Sequence, residues 1–520
     1  MGDFHTKKSF QGADSCILIG RAQGDHMREI GPMERLLWIV DDEGAVDVSK
    51  RIFSGCKYWE RLPVTKDVNW REILGTFLIK TPRLMPSLYI TKQIPTKFQD
   101  HYATMIEGVV SLLEEEYRIR VTRQQDAFAW QSNLINNMTE YMSRRLPNNW
   151  KGALSGIPAF VCGAGPSFSV SAPELARLAD RGVIFAGDSS LKALSNMGVR
   201  ADFMVSVDVA KTAAKCLPPG VMVPGRAILT AISPPDWSDV LPRPTRYYLS
   251  GNQLTLDWLA AQGVSKTASS VCDNCGATAI ELAYFMGCSP IYILGMDLSL
   301  STSATSQGSV QRHHGEVDAN TYANSGFNAQ QEFPMVPGNF EAEIPTHVIG
   351  DWRALDQRIA SYPTGRVIVV SDRGARLRNT TVLRPGEFVL HSPPIDKESL
   401  LAKLPVPQGI SSDRDQQIAN KILRFGEALR AMMPHLAALA KTGNLQEVIQ
   451  RLRHIFSDSA NGMMLGAYSL KIMPYLFPPI ETRLTFWDTC LMELEQLADS
   501  YIQQSNVLRG NLEASKTLHS

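Results

Sequence analysis

The segment 158–208 limits what this chain can fold into more than any other. An apolar run, Ala159–Cys162, enters the turn Gly163-Ala164-Gly165-Pro166-Ser167. A helical pattern follows, with Pro173 in its first turn and Glu174 beside it. Two further apolar runs, Val183–Ala186 and Phe203–Val207, each lead to an aspartate, Asp188 and Asp208. Between them lies a short helical stretch carrying Leu191, Leu194 and Met197. Strands alternating with helices at this spacing build an open parallel sheet, and such sheets bind ligands outside the carboxyl ends of their strands. The pattern predicts that the glycine turn and both aspartates converge on one crevice.

The same alternation continues downstream. Ala227–Ile232 and Tyr247–Leu249 read as strands. The stretch from Asp273 to Leu300 gives a turn, a helix with Ile280, Ala283, Tyr284 and Gly287, and a strand Ile291–Leu294 ending at Gly295-Met296-Asp297. Asp297 is a third carboxylate at a strand end. Residues 299–345 are polar and aperiodic, which predicts a mobile lid over the crevice. A helix over 347–361 and a strand Val367–Val370 close the domain. The expected fold is α/β: a central Rossmann-like doubly wound sheet over 151–395, a small α/β domain over 1–150 and an all-helical domain over 396–520. Within residues 1–150, Cys16–Ile19, Leu36–Val40, Phe77–Ile79 and Leu88–Ile90 are short apolar runs separated by polar or Pro/Gly-bearing stretches, the pattern of a small α/β domain. A helix over 126–145 leads into the centre, and Gly20 reads as a turn, with phosphate binding as the alternative. After residue 413, Ile418, Ile422, Leu423, Phe425, Leu429, Met433 and Leu436 recur at helical spacing, as do apolar residues in 484–502.

Lys+Arg and Asp+Glu balance at 52 each, so no overall field recruits nucleic acid or an anionic membrane. An anionic ligand therefore needs a local site. Eight cysteines spread through 520 residues do not form a disulfide framework, and Cys272 with Cys275 lacks the second Cys/His pair that a zinc site requires. The start lacks the order of a secretory signal, and its loose myristoylation pattern, Gly2 with Thr6, stands alone and is read as chance. The uncharged stretch 152–173 holds three prolines, which argue against a membrane-spanning helix.

Several residues carry candidate chemistry. Gly163 and Gly165 let backbone approach an anion, and the helix start after Ser167 favours negative charge. The turn is neither G-x-G-x-x-G nor a P-loop, and a plain structural turn is the alternative. Strand-end aspartates also serve as helix caps. Three of them suit either ribose and base hydroxyls and amines or Mg²⁺ held against phosphates. His313 and His314, in Arg312-His313-His314-Gly315-Glu316, are candidates to take a proton from a hydroxyl nucleophile, with a solvated loop as the alternative.

Gly163–Ser167, Asp188, Gly198-Val199-Arg200-Ala201-Asp202 leading to Asp208, Ala283–Gly287 and Gly295-Met296-Asp297-Leu298 resemble, in order, the central domain of the motility-associated factor (Maf) glycosyltransferases. Val336-Pro337-Gly338, Pro345-Thr346 and Asp372-Arg373-Gly374-Ala375 look like that family's closing segments. The domain is also similar to that of bacterial sialyltransferases, where Ala164 here replaces an asparagine and Cys275 a serine. The resemblance implies a cytoplasmic bacterial enzyme that transfers a nonulosonic acid, pseudaminic or legionaminic, from a CMP-activated donor to flagellin Ser/Thr hydroxyls in flagellum assembly and motility. By position, Gly163, Gly165, Pro166 and Ser167 would surround CMP phosphate or ribose, with Asp188, Asp208, Gly295 and Asp297 bordering the nucleotide. Asn274, Cys275 and Gly276 would lie at cytosine or ribose, and His313 or His314 would act as the base. No cofactor is required, although three carboxylates leave Mg²⁺ open. Flagellin and the CMP-sugar are the expected partners, without nucleic acid or a membrane span. The same pattern also resembles archaeal 6-hydroxymethylpterin diphosphokinase, in which Asp188, Asp208 and Asp297 would hold Mg²⁺ and the pterin. A non-catalytic flagellin-binding assembly factor is the third reading.

Overall fold

Two parallel sheets organise the chain, and each reverses its direction of growth once. The computed structural model describes residues 4–8, 15–22, 24–31, 33–46, 56–64, 70–79, 85–300, 333–407, 409–410, 413–476 and 484–519. They divide into two compact units, one of Met1–Phe128, Pro434–Gly462 and Ala467–Met492, the other of Ala129–Met433, Met463–Gly466 and Glu493–Ser520. The helices after residue 413 are shared between the two units.

In the first unit β1 (Phe4–Lys8), β2 (Ser15–Ile19), β3 (Met33–Val40), β4 (Cys56–Pro63) and β5 (Ser87–Thr91) form one sheet in the order β1-β5-β2-β3-β4. β2 to β5 run parallel, and β1 lies antiparallel on β5 at the edge. β2 is apolar on both faces because both are covered. Ile17 and Ile19 pack with Leu74, Phe77 and Leu78 of helix Trp70–Ile79 and with Tyr102, Met105 and Val109 of helix Gln99–Asn136. Cys16 and Leu18 face Met27 and Ile30. Of the short apolar runs, Phe77–Ile79 is the last turn of a helix. Ile73, Leu74, Phe77 and Leu78 recur at three- and four-residue spacing, and that period outweighs a three-residue apolar run.

The second unit holds β6 (Ala159–Cys162), β7 (Val183–Gly187), β8 (Phe203–Ser206), β9 (Arg226–Thr230), β10 (Arg246–Leu249), β11 (Ile291–Leu294), β14 (Val367–Val370) and β15 (Thr380–Leu383). They form an eight-stranded, wholly parallel sheet in the order β10-β9-β8-β7-β6-β11-β14-β15. Ala159, Val161, Phe185, Phe203 and Ile293 pack under helix Cys275–Phe285 with Ala279, Ile280 and Ala283. On the opposite face Phe160 stacks on Tyr292, and Phe388 packs against both. The expected Rossmann-like doubly wound sheet is present, with β15 an added edge strand. Within this unit Gln131, fully buried, donates to the Met464 carbonyl (2.8 Å) and the Tyr501 hydroxyl (3.2 Å), which ties the C-terminal helix to the entry helix.

Two local expectations change. The helix after the Gly163 turn is Phe168–Leu178, so Pro173 lies inside it rather than in its first turn. The proposed lid divides: residues 301–332, with His313 and His314, lie outside the described residues. Met335–Pro337 (β12) and Glu343–Pro345 (β13) form an antiparallel hairpin. Asn339 donates its amide to the Gly374 carbonyl (2.9 Å) and Arg376 its amide to the Pro337 carbonyl (2.7 Å), so the hairpin is fastened to the loop after β14.

Candidate functional site

The sheet grows outward from β6 to β10 and then returns to place β11 on the other side of β6, which puts the reversal between β6 and β11. Ligands of open parallel sheets bind at such a reversal, outside the carboxyl ends. Cys162 pairs in register with Leu294, so the Gly163 and Gly295 turns leave the sheet side by side.

The two turns join in a continuous seam. Gly163 donates its amide to the Leu294 carbonyl (2.8 Å) and Gly165 to the Gly295 carbonyl (2.7 Å). Ser167 donates its amide to Asp297 Oδ2 (2.8 Å) and its hydroxyl to Asp297 Oδ1. Asp297 is buried, and burial pushes its carboxyl above the ordinary value against the opposing effect of the Ser167 donors. A Cβ on Gly165 would lie 2.8 Å from both the Asp297 carboxylate and the Gly295 carbonyl. Gly295 has φ +68°, and a Cβ there would lie 2.6 Å from Phe168 Cβ. These glycines therefore let two stretches of this chain approach each other. The half-exposed Ala164 amide is the one amide of the turn without a hydrogen-bond partner among the described residues.

The edge formed by β7 and β8 is built differently. Asp188, just past β7 and nearly fully buried, accepts from Ser189 Oγ (3.0 Å), Ser206 Oγ (2.8 Å) and Cys275 Sγ (3.3 Å). Asp208, past β8, is exposed and accepts the Ala210 amide (2.8 Å). Lys211 reaches back to donate to Ser189 Oγ (3.1 Å). Asn274 caps helix Cys275–Phe285: its side-chain oxygen accepts from the Ala277 amide (2.8 Å), and its Nδ2 donates to Asp351 (3.0 Å). Burial, reinforced by Asp188, holds the Cys275 thiol well above its ordinary value. Burial also raises Cys272 to about 11 and Cys216 to about 12. All three are protonated thiols near neutral pH rather than nucleophiles.

Beyond β11 the chain holds Leu298 at φ 49°, a conformation uncommon for a non-glycine residue, and fixes it by a hydrogen bond from Thr346 Oγ1 to the Leu298 carbonyl (2.7 Å). Ala375 donates its amide to the Asp297 carbonyl (2.8 Å). Arg373 forms a two-pronged pair with Asp372 at 2.9 and 2.8 Å, which lowers the Asp372 carboxyl and raises the guanidinium.

Gly163, Gly165, Pro166, Ser167, Gly295 and Asp297 thus gather in the seam. Asp188 meets Cys275, the first residue of the helix that Asn274 caps. Asp208 stands apart on the surface. Among the described residues no three His, Cys, Asp or Glu side chains form a group able to hold a metal ion. The three aspartates therefore do not make one cation cluster, because Asp297 is turned into the Ser167 seam and Asp188 into its own donors. Sequence reasoning missed Lys211, which carries no local signature and takes its meaning from Ser189, 22 residues away in the chain.

Residues 132–303, which span β6 through β11, match the family model described as 6-hydroxymethylpterin diphosphokinase MptE-like. No curated protein matches the chain. Among solved structures, the chain is similar to the Maf glycosyltransferase from Magnetospirillum magneticum AMB-1, with 15% identity and a TM-score of 0.54. The likeness covers 98% of this chain and 81% of that one. At this identity it is one of fold, and it reaches beyond the central sheet to nearly the whole chain. No helix among the described residues is long and apolar enough to cross a membrane.

Proposed function

We propose that the chain is a glycosyltransferase that moves a nonulosonic acid from a CMP-activated donor to Ser/Thr hydroxyls of flagellin. The observation that carries this reading is the fold likeness to a Maf glycosyltransferase over 98% of the chain, flanking regions included. A small-molecule diphosphokinase has no evident use for those regions, although the MptE-like match keeps it as the rival.

In the proposed reaction the acceptor hydroxyl oxygen bonds to the anomeric carbon as the bond from that carbon to the CMP phosphate oxygen breaks. The hydroxyl proton passes to His313 or His314, and CMP leaves with the bonding electron pair on its phosphate. Asp208, exposed and engaged among the described residues only by the Ala210 amide, is the proposed acceptor for a ribose hydroxyl. Asp188 and Asn274 hold the floor of the site through Cys275 and the helix it begins. The departing group is a phosphate monoester, whose charge the protein's own donors can meet without a metal.

The test is a calorimetric titration of the full chain with CMP, CDP, UDP, GDP and ATP, with and without Mg²⁺. It is followed by the intact mass of flagellin incubated with protein and CMP-nonulosonate. Selective, metal-independent CMP binding and a mass increment of one nonulosonate are expected. Mg²⁺-dependent ATP binding with diphosphate transfer to 6-hydroxymethylpterin would replace this reading with the diphosphokinase.

A further inference from the structure

We propose that Lys211 is the anion-binding residue of this site and receives the phosphate of the CMP moiety, an inference that rests on the CMP-donor reading above. The argument begins with what the seam no longer offers. The Gly163, Gly165 and Ser167 amides, the usual means of holding a phosphate at a β–α turn, are bonded to Leu294, Gly295 and Asp297. The Ala164 amide, the turn's one remaining donor, is neutral, so the charge of a departing phosphate calls for a cation along the carboxyl edge.

The edge also carries negative charge of its own. Asp188 and Asp208 follow adjacent strands, so an anionic ligand brought to β7 and β8 meets two carboxylates. Arg373, at the far side of β11, is held in a two-pronged pair by Asp372. Lys215 is exposed and donates to the Ala210 carbonyl at 3.4 Å, and Arg200 is turned to the carbonyls of Val223 and Pro224. Lys211 differs from all of these. It is half-buried, and its ammonium donates to the neutral Ser189 hydroxyl (3.1 Å) and makes no ion pair among the described residues.

An ammonium carries three donors, and one taken partly out of bulk water, with a neutral hydroxyl as its one hydrogen-bond partner among the described residues, gains from an anion more than an exposed lysine does. The backbone is anchored for this role: fully buried Trp237 donates its indole N–H to the Lys211 carbonyl (3.0 Å). Ser189, whose hydroxyl accepts from Lys211, also donates to Asp188 at the end of β7, so the amine is tied to that strand end through one hydroxyl. As the bond from the anomeric carbon breaks, the phosphate gains negative charge, and a cation here acts more strongly on the leaving group than on the intact donor.

The experiment compares CMP with cytidine, which lacks only the phosphate, by calorimetry on the full chain in wild type, Lys211→Gln and Lys211→Arg, at low and high salt. Wild type is expected to prefer CMP. Lys211→Gln should weaken CMP binding by about 10- to 100-fold while cytidine binding is unchanged. Lys211→Arg should restore most of the preference, and salt should narrow it. CMP binding in wild type with the same CMP-to-cytidine ratio in Lys211→Gln overturns the assignment of Lys211 and leaves the donor reading standing. Absence of CMP binding in wild type overturns both. An unchanged melting temperature in Lys211→Gln is the check that the loss concerns binding.

Discussion

The β6–β11 seam and the β7–β8 edge lie on the same rim of one sheet, yet their polar groups are used in opposite ways. In the seam, Gly163, Gly165 and Ser167 direct their donors at acceptors of this chain, and Asp297 is buried with its carboxylate satisfied. At the edge, Asp208 is exposed and Lys211 meets a neutral hydroxyl. Hydrogen-bonding capacity already filled within the fold supports stability and position, whereas capacity left unfilled is what a ligand can use. The comparison predicts that seam substitutions are read mainly in stability and edge substitutions mainly in binding.

The largest expected effect is that of Gly165→Val. Its Cβ would lie 2.8 Å from both the Gly295 carbonyl and the Asp297 carboxylate, neither of which moves without opening the seam. A loss of about 3 kcal/mol or failure to fold is expected, read by thermal unfolding. Near-native stability would mean that the two turns are not tightly joined. Asp297→Ala follows, because it leaves the buried Ser167 amide and hydroxyl without their acceptor. About 2 to 3 kcal/mol is expected, while Asp297→Asn, which keeps an acceptor oxygen, should lose less.

A smaller effect separates burial from hydrogen bonding at Asp297. Burial raises its carboxyl in the folded protein above the ordinary value near 4, although the Ser167 donors oppose the shift. Between the ordinary and the raised value the folded state binds more protons than the unfolded one, so stability from this group falls as pH rises through that window. Asp297→Asn lacks the ionisation. Its melting temperature relative to wild type should therefore rise between pH 4 and pH 7, and a constant difference would show that the Ser167 donors at least cancel the effect of burial.

Much of the sheet could be read from the chain because its signals are local. Val183–Ala186 and Ile291–Leu294 are short apolar runs ending in glycine or aspartate, and both are strands within a residue. The run Phe77–Ile79 could not be assigned from its own residues, because three are too few to separate a strand from a helical turn. The Met335–Pro345 hairpin was hidden in a polar stretch, since what orders it is bonding to Gly374 and Arg376 rather than a period of its own. The site was less legible for the same reason. That Gly163–Ser167 is a turn follows from its residues, but that the Gly163, Gly165 and Ser167 amides are filled depends on Leu294, Gly295 and Asp297, some 130 positions away. Lys211 acquires a role only once β7 and β8 are adjacent.

The smallest change in stability sharpens the comparison from the edge. Among the described residues Asp208 accepts only the amide two residues on, within an exposed turn, so Asp208→Asn should alter stability by no more than about 0.5 kcal/mol. Its effect on ligands should have a sign that a structural role does not supply. Removing one negative charge from the end of β8 lowers the repulsion felt by a phosphate, so CMP should bind somewhat more tightly relative to cytidine, most clearly at low salt. If Asp208 also accepts a ribose hydroxyl, cytidine itself should weaken in Asp208→Asn while the ratio of CMP to cytidine affinity rises. Equal binding of both ligands in variant and wild type would move the nucleotide away from β8. A lower melting temperature with unchanged binding would make Asp208 part of the framework and erase the distinction between edge and seam.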